Sequence, residues 1–268
     1  MEIKRVSWAL AFCTLAICLP GAHIQAAKKI ITGNASANWA GYASIGKGYS
    51  AVSGSWVIPA VKPSNSFEAD AAWIGIGGIG GSDLIQSGTE AVTENGVVRY
   101  IAWTEALPAV SKPLSLAVHA GDSISVEISE LTAGHWQISF ANNTTGQSTS
   151  KNIAYNSTHS SAEWIEEAPS DANGILPLDN FGSVKFNNLS ATRNGKSISI
   201  SSASPEPIIM AAEDGSILAT PSALNKSGNS FSVTRMAAKS VSAAHRLFDK
   251  IENWTHGGHG IKKRQLHE

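Results

Sequence analysis

Cysteine is nearly missing from this sequence: there are two in 268 residues, Cys13 and Cys18, and both lie in an apolar run near the N-terminus. Lys4 and Arg5 precede that run, which extends from Val6 to Leu19, and Ala22 to Ala27 supply the small residues beside which a signal peptidase cuts. The segment is therefore expected to be a signal peptide over residues 1–26, cleaved after Ala26. At about 14 residues the run falls short of the roughly 20 that a membrane-spanning helix needs. A lipid anchor on Cys18 is disfavoured by the bulky Ile17 before it. Cleavage removes both cysteines, so the exported chain should hold neither thiol nor disulfide, which excludes thiol catalysis and cysteine-bound zinc.

Charge is scarce as well. Charged residues make up 15% of the chain and the formal net charge is −1. The only basic block is Lys262 to Arg264, so nucleic acid is not an expected partner. Nothing later resembles a transmembrane span, and no membrane association is expected once the leader is gone. HExxH and GxSxG are absent, and His119, His135 and His159 lack convincing partners. His256 and His259 sit in a glycine-rich tail where solvation is the expected state, so neither a metal nor another cofactor is expected. Gly75-Ile76-Gly77-Gly78-Ile79-Gly80 fits GxGxxG, but no helical pattern follows it. It reads as a loop that lets backbone approach a cleft, not as a dinucleotide site.

What the chain does contain is short strands. From Asn38 to about Arg235 they recur at regular spacing between Gly, Pro, Asn and Ser clusters, the pattern of a β-sandwich or barrel. Ser123 to Ile128 alternates cleanly, with one wet and one buried face, and Asn95-Gly96 and Asn194-Gly195 mark hairpins. After Arg235 the pattern changes: Ala237, Val241, Ala244, Phe248 and Ile251 form the stripe of an amphipathic helix. The expected organisation is one all-β domain over residues 27–235, then a helix and a flexible basic and histidine-bearing tail over 236–268, in a monomer.

Several strand-like segments combine tryptophan with carboxylate or amide: Trp73-Ile74-Gly75, Leu84 to Gly88, Ala102-Trp103-Thr104-Glu105 and Ala162 to Glu167. Trp103 and Glu105, two apart on a strand, share a face. Spacing alone leaves two readings open, a cleft wall or a tryptophan-filled core with carboxylates at strand ends. Taken in order, Asn38-Trp39-Ala40-Gly41-Tyr42, WIGIGG at Trp73, LIQSG at Leu84, AWTE at Ala102, TGQ at Thr145, AEWIEEAP at Ala162 and NFGSVKF at Asn180 resemble the glutamic peptidases, the eqolisin family. The resemblance runs from about Asn34 to Arg235.

That resemblance implies an antiparallel β-sandwich of two curved, lectin-like sheets with its site on the concave face. It implies a catalytic pair at Gln86 and Glu163, with Trp73, Trp103 and Glu105 lining the substrate-binding cleft and Glu166 and Glu167 as second choices. The implied activity is that of a secreted endopeptidase acting on proteins or peptides at acidic pH, through an activated water and without a covalent intermediate. The chain departs from the fungal pattern at Gly77 and Ile101, where acidic residues are expected. Both losses remove negative charge near Glu163, which leaves the acidity of the optimum open. Two other readings use the same residues: a glycoside hydrolase with Glu105 and Glu163 as its carboxyl pair, or a non-catalytic module that holds peptide or glycan.

Overall fold

The computed structural model describes residues 34–237 and the backbone of residues 30 and 31. The leader expected over residues 1–26 lies outside the described residues. So does the helix and tail expected over 236–268, apart from Met236 and Ala237, which are not helical. Fourteen strands have at least four residues: β1 Trp39–Ile45, β2 Tyr49–Val57, β3 Glu68–Ile76, β4 Ile85–Glu94, β5 Val97–Ala106, β6 Ser123–Thr132, β7 His135–Asn142, β8 Gln147–Ala154, β9 Ser161–Glu167, β10 Ser183–Arg193, β11 Lys196–Ser199, β12 Glu206–Ala211, β13 Ile217–Pro221 and β14 Phe231–Arg235. The expected all-β antiparallel fold is what the chain forms.

Pairing divides these strands into two layers. The first runs β12-β1-β9-β3-β4-β5, every neighbour antiparallel. The second runs β8-β7-β6-β2-β10-β14-β13-β12, with β11 as a hairpin partner of β10. β12 belongs to both layers: Glu206 to Ile208 pair with β1, whereas Met210 and Ala211 pair with β13. Both hairpin signals are realised, with φ of 51° and 76° at Asn95-Gly96 and 51° and 75° at Asn194-Gly195. Positive φ at both central residues is what a two-residue turn between twisted strands requires.

Alternation on the strands fills the space between the layers. Trp56, Val126, Phe140 and Phe186 of the second layer and Ile74, Ile85 and Trp164 of the first belong to one buried apolar cluster. Two indole N–H groups tie the layers together. Trp56 Nε1 donates to Thr89 Oγ1 at 2.9 Å, and Trp164 Nε1 donates to the Ser53 carbonyl at 2.9 Å. A buried Trp needs such a partner, and each large side chain buried here contributes about 1.5–3 kcal/mol.

Candidate active site

β9 lies between β1 and β3, and its alternation splits its residues: Ala162 and Trp164 join the inter-layer core, while Ile165 joins a separate cluster on the outer face. By the same parity Glu163 and Glu167 stand on the outer face. Register then assembles the site across four strands. Glu163 on β9 is opposite Gly75 on β3, Gly75 is opposite Gln86 on β4, and Gln86 is opposite Glu105 on β5. The next row of that face is Ile165, Trp73, Gly88 and Trp103, and the one after is Glu167, Ala71, Glu90 and Ile101. All five residues singled out in the sequence therefore fall in two adjacent rows. Glu163 and Gln86 are two strand spacings apart, about 10 Å between backbones, with only the side-chain-free Gly75 between them.

An outer face is normally wet, yet Glu163 is 0% exposed, Gln86 5% and Trp103 7%. Trp39, Leu84, Ile79 and Leu107 crowd over it, and Trp39 meets Trp73 edge to face at 4.8 Å between ring centroids. The loop over residues 77–83 also covers it: a Cβ on Gly78 would lie 3.3 Å from Glu163 Oε1 and 2.9 Å from the Trp39 ring. This is the GxGxxG stretch, and it brings backbone against the site as the sequence suggested. Asp83 pins the loop by accepting hydrogen bonds from Ser157 Oγ at 3.0 Å, Thr158 N at 2.7 Å and Thr158 Oγ1 at 2.9 Å.

Gln86 Nε2 donates to Glu105 Oε2 at 2.6 Å, while Gln86 Oε1 and Trp103 Nε1 are buried without protein partners. Trp73 is fully buried and its Nε1 donates to Glu167 Oε2 at 2.7 Å; Asn38 Nδ2 donates to Glu167 Oε1 at 2.8 Å. Burial pushes Glu167 up to about 7, and burial with the charge of Glu105 pushes Glu90 up to about 7. Burial likewise raises Glu105, against the opposing hydrogen bonds of Gln86 and the Ser111 backbone. Glu90, Glu105 and Glu167 are thereby favoured in their protonated forms at acidic pH.

Of the two second choices, Glu167 is in the site and Glu166 is not: Glu166 is 0% exposed and interacts with Asp70 and Asp179 instead. Glu90 and Trp39 were missed as site residues. Glu90 was within reach of the sequence, because positions 86, 88 and 90 share a face of β4. Carboxyls do stand beside both Gly77 and Ile101. Glu90 is directly opposite Ile101, and a Cβ on Gly77 would meet Asp83 Oδ2 at 2.5 Å. Among the described residues no cluster of three or more His, Cys, Asp or Glu side chains is disposed to hold a metal ion. A groove of about 540 Å³ on the second layer is lined by Ser53, Ser55, Ser125, Ser139 and Ser150 with Glu127 as its one carboxylate, so it offers no acid–base pair.

Relatives of the chain are found both among sequences and among solved structures. Aspergillopepsin-2 from Aspergillus niger is 31% identical over 224 residues, 74% of this chain and 77% of that protein. Scytalidopepsin B from Scytalidium lignicola is 29% identical over 190 residues, 66% of this chain and 72% of the relative. Among solved structures, scytalido-glutamic peptidase with a peptide-based transition-state analogue superposes with a TM-score of 0.65 at 26% identity, over 75% of this chain and 98% of that one. Aspergilloglutamic peptidase from Aspergillus niger superposes with a TM-score of 0.54 at 31% identity, over 63% and 99% of the two chains. The sequence model of the peptidase A4 family matches residues 37–235, and the chain belongs to that family, the eqolisins.

Proposed function

We propose that this chain is a secreted endopeptidase that hydrolyses peptide bonds at acidic pH with Glu163 and Gln86 as its catalytic pair. Peptide hydrolysis needs an activated water, a donor for the oxyanion and a proton for the departing amine. Glu163 takes a proton from the water as that water attacks the carbonyl, and returns the proton to the amine as the C–N bond breaks. The Gln86 amide orients the water through Oε1 and stabilises the oxyanion through Nε2. No covalent intermediate forms. Trp73 and Trp103 line the cleft with Glu105, and an ordinary Glu pKa of about 4.3 makes acidic pH the range in which one carboxyl can both accept and give up a proton.

One observation carries the reading. In a peptidase-family chain, strand register sets Glu163 and Gln86 on one sheltered face with only Gly75 between them. The test is digestion of a denatured protein across a pH series. Glu163→Gln keeps the shape and removes the ionisable group, with an expected loss in kcat of about 10³-fold. Gln86→Ala is expected to lose about 10²–10³-fold. Full proteolysis by either variant refutes the pair, and a wild-type chain that binds denatured protein but cuts none refutes the activity.

A further inference from the structure

Gln86 is the member of the proposed pair that is tied to a third ionisable group. Its amide has ends of opposite character, since Nε2 only donates and Oε1 only accepts. Glu105 lies directly across from it on β5 and meets one of those ends. Here Nε2 lies 2.6 Å from Glu105 Oε2 and Oε1 is buried with no partner. That pairing suits an ionised Glu105, which offers only acceptors. It does not suit an oxyanion: the donor end is turned toward a carboxylate, the acceptor end is left over, and a negative charge stands beside the place where another must develop. A protonated Glu105 reverses each of these. Its O–H donates to Oε1, the amide turns over, and Nε2 is released toward the substrate. Hydrogen bonds alone are exchanged, and the proton on Glu105 comes from solvent.

We propose that Glu105 is a positioning residue whose protonation sets which end of the Gln86 amide faces the substrate, the acid form presenting the donor. The inference rests on the assignment of Gln86 to the catalytic pair and adds a switch to it. The surroundings favour the acid form. The groups that face Glu105 are Glu90 on β4, Glu167 on β9 and the Tyr155 hydroxyl, and each feels its negative charge. The opposing contacts are the Gln86 amide and the Ser111 backbone N–H, and Lys112, which pairs through its backbone with Thr104, is exposed. Because burial raises the Glu105 carboxyl, the acid form persists above the pH at which a free Glu ionises and is lost as pH rises through the raised value. The productive amide orientation is therefore present at low pH and lost on the alkaline side.

Glu105→Gln tests this, because it supplies a permanently uncharged partner whose NH2 donates to Gln86 Oε1. The expected result is an alkaline decline in kcat/KM displaced upward by about one pH unit or more, with kcat at acidic pH reduced less than about tenfold. Glu105→Ala removes the partner altogether and is expected to lower kcat about 10–100-fold at acidic pH, with the alkaline decline displaced as in Glu105→Gln because the titrating group is gone. A second measurement does not depend on turnover. In the Glu163→Gln protein, where Glu163 no longer titrates, the side-chain amide NMR signals of Gln86 should move with pH, and they should stay fixed once Glu105→Gln is added. A Glu105→Gln profile that overlies the wild type, or a Gln86 amide that does not titrate, overturns the proposal. Gln86→Ala separates the two levels of argument: full activity there removes the catalytic pair itself, whereas loss of activity beside an unshifted Glu105→Gln profile removes only the role of Glu105.

Discussion

Glu167 receives Asn38 Nδ2 on one carboxyl oxygen and Trp73 Nε1 on the other, with the Trp39 indole as a further partner. Whatever occupies this position must therefore offer two acceptors. Burial pushes the carboxyl up to about 7, so it is protonated at acidic pH, but its hydroxyl oxygen still accepts. An amide does not, because its nitrogen has no lone pair to give. Glu167→Gln, similar in shape, is expected to set a donor against one of these N–H groups and to cost about 1–3 kcal/mol. At roughly 2–4 °C per kcal/mol for a chain of this size, thermal melts near pH 4 should show Tm several degrees lower. An unchanged Tm would show that Trp73 and Asn38 do not rely on two acceptors. At this scale the sequence was legible wherever parity applied. Counting by twos from Glu163 selects Glu167 and rejects Glu166, and counting from Gln86 reaches Glu90. Asp83 was not legible, since it lies on a loop and strand parity does not govern its direction.

At the scale of elements, the loop over residues 77–83 is the piece that makes an outer sheet face into a sheltered site. Its backbone at Gly78 lies against Glu163, and its attachment to residues 157 and 158 runs through the Asp83 carboxylate. Asp83→Ala releases that attachment without touching either strand of the proposed pair. We expect kcat/KM to fall about 10–100-fold, the scale on which small misplacements act. Circular dichroism should remain that of the wild type, because the two layers keep their pairings. Undiminished kcat/KM would show that the loop holds its place without Asp83. The hairpins were readable, because Asn-Gly turns announce themselves and join β4 to β5 and β10 to β11. The insertion of β9 between β1 and β3 was not. It places Glu163 beside Gly75 across 88 residues of sequence, and no local pattern encodes a partner that distant.

The whole molecule carries a second set of carboxyls, in its core. Asp70 on β3, Glu166 on β9 and Asp179 are 3%, 0% and 1% exposed. Asp70 interacts with both of the others, and five of their carboxyl oxygens are buried without a donor, so any bond from carboxyl to carboxyl among them requires a proton. Burial raises all three: Asp70 well above its usual range, Glu166 to about 8 and Asp179 to about 10. Glu68, Glu90 and Glu167 add to the negative surroundings. Arg235 is the nearby cation, but its N–H groups go to the carbonyls of Leu178, Asp179, Leu218 and Met236. A carboxyl whose folded pKa is raised leaves stability intact below the unfolded value, near 4, and removes it as pH climbs toward the folded value. The fold should therefore be most stable in acid and weaken between about pH 4 and pH 8, by on the order of 3–5 kcal/mol from this cluster. That corresponds to a fall in Tm on the order of 10 °C. Composition could not announce this, because a net charge of −1 says nothing about which carboxyls are buried. The double variant Asp70→Asn with Glu166→Gln removes two titrations while keeping hydrogen-bonding groups in place, and its Tm should vary much less across that window. A wild-type Tm that stays level from pH 4 to pH 8, or a double variant that falls as steeply as the wild type, would show that the core does not titrate. With the expected result, the molecule meets acid twice over, in a core that needs its carboxyls protonated and in a site whose chemistry runs on them.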